Sequence, residues 1–128
     1  MSQVEGLLAS RRILLVEDEY LIAEAMEAWL RQAGAVVIGP VPRVEQALAL
    51  IESEAEALDG AVLDVNLGQG ETAYSVANRL NEICVPYLFA TGDVRITGDR
   101  AHSGRPCLGK PISRGQLLDA VEKLLTVR

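Results

Sequence analysis

The sequence predicts an α/β protein, one domain built on a parallel sheet. From residue 12 onward, short β-branched runs alternate with longer segments of helical period, the signature of successive βα units. Those runs are mostly apolar, as strands covered by helices on both faces are. At 128 residues, 49% hydrophobic and 23% charged, the chain has the size and composition of one folded domain, which excludes a chain-wide disordered or collagen-like state.

Residues 1–10 read as an N-terminal extension and residues 11–128 as the domain, with no linker, repeat or low-complexity tract and no room for a second domain. Strands are predicted over residues 12–16, 36–39, 61–64, 87–90 and 106–108. The first helix, over residues 20–33, carries Leu21, Ala25 and Trp29 at i, i+4, i+8 beside Ile22, Met26 and Leu30, a stripe expected to face the sheet. Glu24, Glu27, Arg31 and Gln32 lie opposite, and Gly34 is a stop signal. The helix over residues 44–55 turns Ala47, Leu48 and Ile51 inward, and that over residues 73–83 turns in Val76, Ala77 and Leu80. Ser113 stands three residues before Gln116, a capping box at the start of the last helix, whose buried stripe is Leu117, Leu118, Val121, Leu124 and Leu125. Between strands four and five, residues 93–104 are rich in Gly, Asp and Arg with few apolar side chains (Val94, Ile96, Ala101). Their helix is poorly encoded, and a mobile segment is expected there.

Twelve basic and eighteen acidic side chains give a net charge of −6, with only two lysines, too little clustered positive charge for a nucleic-acid binder. Cys84 and Cys107 have neither zinc-site spacing nor the density of a disulfide scaffold and are expected to stay reduced. A single histidine, His102, excludes an H-E-x-x-H zinc protease. No apolar run reaches signal-peptide length or the roughly 18–20 residues that span a bilayer, so a cytoplasmic protein without membrane contact is expected.

Ligands of open parallel sheets bind outside the carboxyl ends of the strands. There, strand one is followed by Glu17-Asp18-Glu19, strand three ends in Asp64 with Asn66 beyond it, strand four leads into Thr91-Gly92, and strand five into Lys110-Pro111. Carboxylates crowded at one rim repel unless a cation relieves them. Hard oxygen donors that leave positions for water and phosphate suit Mg²⁺. Asp64 beside a metal and a lysine can attack phosphorus and form an aspartyl phosphate, with Lys110 and the Thr91 hydroxyl stabilising the transferred oxygens. Plainer roles exist for each: Asp18 as a helix cap, Asp64 as a strand-end cap, Thr91 as a turn residue, Lys110 as a solvated lysine. Glu17 and Glu19 also suit a helix start, and Glu19 is left out of the site on that ground.

The stretches "ILLVEDE" at 13–19, "AVLDVNL" at 61–67, "FATG" at 89–92 and "LGKPIS" at 108–113, in this order and each at a strand end, resemble the receiver domains of bacterial two-component response regulators. The resemblance covers about residues 11–126. It implies a flavodoxin-like, doubly wound five-stranded sheet of order 2-1-3-4-5 with five flanking helices. It also implies that Asp64 accepts a phosphoryl group from a histidine kinase or histidine phosphotransfer protein. Asp18, Asp64 and the Asn66 backbone carbonyl become Mg²⁺ ligands with Glu17 acting through water, Lys110 and Thr91 contact the phosphate, and the Lys110–Pro111 bond is cis. "PYLFATG" is similar to single-domain members with an F-A-T-G-Y motif, although Asp93 stands at the tyrosine position. Cys107 occupies the place of a common switch aromatic and Ile112 that of a common Phe. Cys107 is expected to be a small buried packing residue, and switching is expected to run through Thr91 and Lys110 into residues 93–104. Output would be a downstream protein target or a phosphate sink, from a monomer or weak homodimer, with no turnover of an external substrate.

Three alternatives compete. Asp64-Val65-Asn66 resembles the D-x-D motif of haloacid-dehalogenase-like phosphohydrolases, but Asn66 cannot serve as the general acid. Residues 68–73 match Gly-x-Gly-x-x-Ala, a dinucleotide signature that the acidic rim disfavours, leaving the glycines to form a turn. The third is a receiver-shaped binding module that is not phosphorylated.

Overall fold

The computed structural model describes residues 6–92 and 105–126. In chain order these form β1 (Arg12–Val16), α1 (Tyr20–Gln32), β2 (Val36–Val41), α2 (Val44–Glu54), β3 (Gly60–Asp64), α3 (Tyr74–Glu82), β4 (Tyr87–Thr91), β5 (Cys107–Gly109) and α4 (Arg114–Thr126). All five strands are parallel, in the order β2-β1-β3-β4-β5 that the resemblance implied. Four helices are found among the described residues where five were expected. The remaining one was placed in residues 93–104, which lie outside the described residues together with the expected mobile segment, Asp93 and His102.

Side chains alternate across the sheet with period two, and this sorts the core into two layers. Leu14, Val16, Leu63 and Phe89 face one side, where Ile51 of α2 and Val76 and Leu80 of α3 cover them. Ile13, Leu15, Val62 and Leu88 face the other, under Met26 and Leu30 of α1 and Leu117, Val121 and Leu125 of α4. Each fully buried aliphatic side chain contributes about 1.5–3 kcal/mol. The first layer also holds an aromatic group in which Tyr74 and Tyr87 meet Phe89 edge to face at 5.9 and 5.5 Å. Cys107 pairs in register with Phe89 and packs against this layer, half-buried rather than buried.

Several expected boundaries shift. β2 runs on through Pro40 to Val41, and the β1–β2 register slips between Leu14 and Val16. Gly39 sits at that slip with φ +102°, where a Cβ would approach the Leu15 carbonyl oxygen to 2.9 Å. β4 extends to Thr91, and β5 begins at Cys107 and reaches Gly109.

The α1 stripe requires a larger correction. Ala23, Met26 and Leu30 are its buried column, whereas Leu21 is 77% exposed and Ala25 and Trp29 are half-buried. The apolar face is wider than the sheet can cover. Its outer edge, with Leu21, Ala25 and Trp29, forms one wall of a groove of about 200 Å³ whose other wall is Lys110, Pro111 and Ile112.

At the opposite end of α1, the chain before β1 folds back. Leu8 is buried, its N–H donates to the Ala33 carbonyl, and the Ser10 N–H donates to Gly34, so this segment satisfies carbonyls just past the helix end. The capping box at α4 is formed: Gln116 N–H donates to Ser113 Oγ at 3.1 Å and Ser113 N–H to Gln116 Oε1 at 2.9 Å. No helix among the described residues is long and apolar enough to cross a membrane.

Candidate functional site

The carboxyl ends of β1, β3, β4 and β5 meet at one rim. β3 ends in Asp64, which is 4% exposed and lies level with Ala90 of β4, so Thr91 follows one residue further along, wholly buried. Thr91 in turn pairs with Gly109 of β5, and the Lys110 N–H donates to the Thr91 carbonyl at 2.9 Å. This register delivers the lysine to the pocket. Its Nζ lies 2.7 Å from Glu17 Oε1, 3.3 Å from Asp64 Oδ2 and 3.7 Å from Glu19 Oε1. The Lys110–Pro111 bond is cis, as the resemblance implied.

Glu17 leaves β1 with its side chain sealed from solvent, and its Oε2 accepts the Glu19 N–H at 3.1 Å. Its Oε1 takes the lysine's charge but no aligned hydrogen bond. Carboxylate oxygens of Glu17, Asp18 and Glu19 all lie within 4.8 Å of one another. Burial first, then the charge of Glu17 and side-chain contacts with Asp18 and Glu17, push the Asp64 carboxyl up to about 8, with Lys110 pulling the other way. Burial disfavours the Lys110 ammonium, but Glu17 and Asp64 outweigh it and hold the amine above its ordinary range.

One lysine therefore meets the carboxylates of Glu17, Asp64 and Glu19, with Asp18 beside Asp64, and burial together with this surplus of negative charge raises the Asp64 carboxyl. A hard divalent cation fits this donor set of carboxylate oxygens gathered where β1 and β3 end. The loop after β3, residues 65–73, holds the exposed Asn66 and closes on itself through an Asn66–Thr72 bridge. Gly68, Gln69 and Gly70 turn it with φ of 82°, 54° and 78°, so the Gly-x-Gly-x-x-Ala match is a left-handed turn.

Asp18, Asp64, Glu17, Thr91 and Lys110 thus share one rim, with Asn66 in the adjoining loop. Three further residues bear on it that sequence reasoning left out. Glu19 joins the carboxylate cluster, and the adjacency Glu17-Asp18-Glu19 was its only signal. Arg43 and Glu71 tie the loop to α2: Arg43 Nη1 donates to the Leu67 carbonyl at 2.7 Å, and Glu71 Oε1 accepts the Val44 N–H at 2.8 Å. Neither residue had a local signal for this role.

No family model matches the sequence, and no curated protein matches it. Among solved structures, the chain is similar to SdrG from Sphingomonas melonis Fr1, at 38% identity over 91% of this chain and 97% of that one, with a TM-score of 0.76. It is also similar to the BeF3-activated conformation of SdrG from Pseudomonas melonis Fr1, at 38% identity, 91% and 98% coverage and a TM-score of 0.73. A response regulator receiver protein from Sinorhizobium medicae WSM419 matches at 28% identity over 94% of this chain and 98% of that one, with a TM-score of 0.80.

Proposed function

Because the chain belongs to the receiver domain family of response regulators, we propose that it is a phosphorylation-dependent signalling switch in which Asp64 is the phosphoacceptor. One observation carries this reading: Lys110 Nζ lies 3.3 Å from a buried Asp64 carboxylate at the carboxyl edge of the sheet, with Glu17 and Asp18 beside it. The solved BeF3-activated conformation of the similar SdrG supports it, since that anion mimics a phosphoryl group on a carboxylate.

In the proposed reaction an ionised Asp64 Oδ attacks the phosphorus of a phosphohistidine on a histidine kinase or phosphotransfer protein. The new O–P bond gives an acyl phosphate, while the P–N bond breaks and its electron pair leaves with the imidazole, which takes up a proton. Asp64 reacts in its ionised form, which Lys110 favours and a bound cation would favour further. Asp18, Asp64 and the Asn66 carbonyl would hold Mg²⁺, with Glu17 acting through water, and the ion when bound would neutralise charge on the transferred oxygens. Lys110 contributes a second positive charge, and the Thr91 hydroxyl donates one hydrogen bond to a phosphoryl oxygen. The output is binding of a downstream protein or removal of phosphate from a relay.

The test is intact mass after incubation with Mg²⁺ and acetyl phosphate, for wild type and Asp64→Asn. A phosphoryl adduct on the wild type alone is expected. Absence of the adduct together with no beryllium fluoride binding would overturn the reading.

A further inference from the structure

We propose that Arg43 is a positioning residue for the metal site, holding from the start of α2 the Leu67 carbonyl, one peptide beyond the one that carries the Asn66 carbonyl; the proposal rests on the reading above. A side-chain ligand can adjust by rotamer, but a carbonyl ligand points where its peptide plane points. The Asn66 C=O and the Leu67 N–H belong to one planar trans unit and point in opposite directions. The Leu67 N–H donates inward to the Glu71 carbonyl at 2.9 Å, so the Asn66 oxygen is turned out of the loop.

Val65 and Leu67 are buried in the core layer and seat the base of the hairpin, but packing of an apolar side chain leaves the orientation of the peptide plane to hydrogen bonds. Asn66 is exposed, and Gln69, a residue with a Cβ, occupies left-handed backbone. Glu71 N–H to Gly68 O and Ala73 N–H to Val65 O, both 2.9 Å, close the hairpin and its base, between the end of β3 and the start of α3, without tying its tip to another element. Two bonds to α2 do so. Arg43 grips the Leu67 carbonyl at 2.7 Å and approaches the Gly68 carbonyl at 3.5 Å, and Glu71 receives the Val44 N–H. Glu71 therefore fixes both ends of the brace, its backbone oxygen holding Leu67 and its carboxylate held by α2. Arg43 stands at the N-cap of α2, where its guanidinium, having donors only, cannot cap the helix N–H groups, and it donates to the loop instead.

The test is Mg²⁺ titration by calorimetry on the folded protein, comparing wild type, Arg43→Met, Arg43→Lys, Glu71→Met and Asp18→Asn, with urea unfolding in EDTA measured alongside. Arg43→Met keeps an apolar stem and removes the donor. It is expected to weaken Mg²⁺ binding about tenfold, as loss of an outer-shell partner does. Arg43→Lys, which keeps a donor, should recover most of the affinity, and Glu71→Met should resemble Arg43→Met. A purely structural role would move the urea midpoint and leave the affinity of the folded protein alone. Wild-type affinity in Arg43→Met, with binding lost in Asp18→Asn, would overturn the brace and leave the metal site standing. A folded wild type that takes up no Mg²⁺ would overturn both.

Discussion

Replacing Asp64 with Asn should stabilise the metal-free protein near neutral pH, although it removes the residue at the centre of the site. The Asp64 carboxyl moves from an ordinary 3.8 in the unfolded chain to about 8 in the folded one. Between these values the native state holds a proton that the unfolded chain has released. The associated stability is present in full below about pH 4 and is lost progressively as pH rises toward about 8. At about 1.4 kcal/mol per pH unit, the loss by pH 7 is up to about 4 kcal/mol, and Asn avoids it because its amide is neutral throughout. Urea unfolding in EDTA, followed by circular dichroism from about pH 5 to about pH 8, checks this. The wild-type midpoint should fall across that range and the Asp64→Asn midpoint should fall less, so that the two diverge. Saturating Mg²⁺ should raise the wild type selectively and narrow the gap, because the ion binds the native, ionised pocket. Parallel pH profiles, or a variant less stable at every pH, would refute the reasoning.

Two further outcomes concern the pocket and the fold. Lys110→Met should lower metal-free stability by about 3 kcal/mol in urea titrations near neutral pH, because the solvent-sealed Glu17 side chain loses its cation partner; unchanged stability would contradict the 2.7 Å ion pair. Leu8→Ala should cost about 2–4 kcal/mol, unusual for a position outside every strand and helix, since Leu8 is buried under the end of α1; thermal unfolding reads this directly.

The sequence made most of the sheet legible because each central strand is an unbroken apolar run ending in a polar residue. Val62-Leu63-Asp64 states both its burial and its limit. Reading stopped short at β2, where Gly39-Pro40 looks like a breaker, yet β2 is an edge strand and an edge tolerates a missing N–H. Periodicity identified the apolar face of α1 but could not say how much of it the sheet would cover, which depends on where β5 and the residues after it come to lie. Of the site, Asp18, Asp64, Thr91 and Lys110 were readable because strand ends converge in any parallel sheet. The Arg43–Leu67 bond spans 24 residues and the Glu71–Val44 bond 27, so both exist only once the loop and α2 are folded together.

The groove beside α1 has a spectroscopic consequence. Trp29 is the only tryptophan in the chain, and it lines the wall opposite Lys110 while the Tyr74–Tyr87–Phe89 group lies in the other layer of the sheet. Indole emission responds to charge and polarity close to the ring, and Lys110, which lines this groove, holds its ammonium against the carboxylates of the rim. Selective excitation of Trp29 therefore listens at the rim with little interference from the far side. An event that draws Lys110 toward a new anion is therefore expected to register in Trp29 emission.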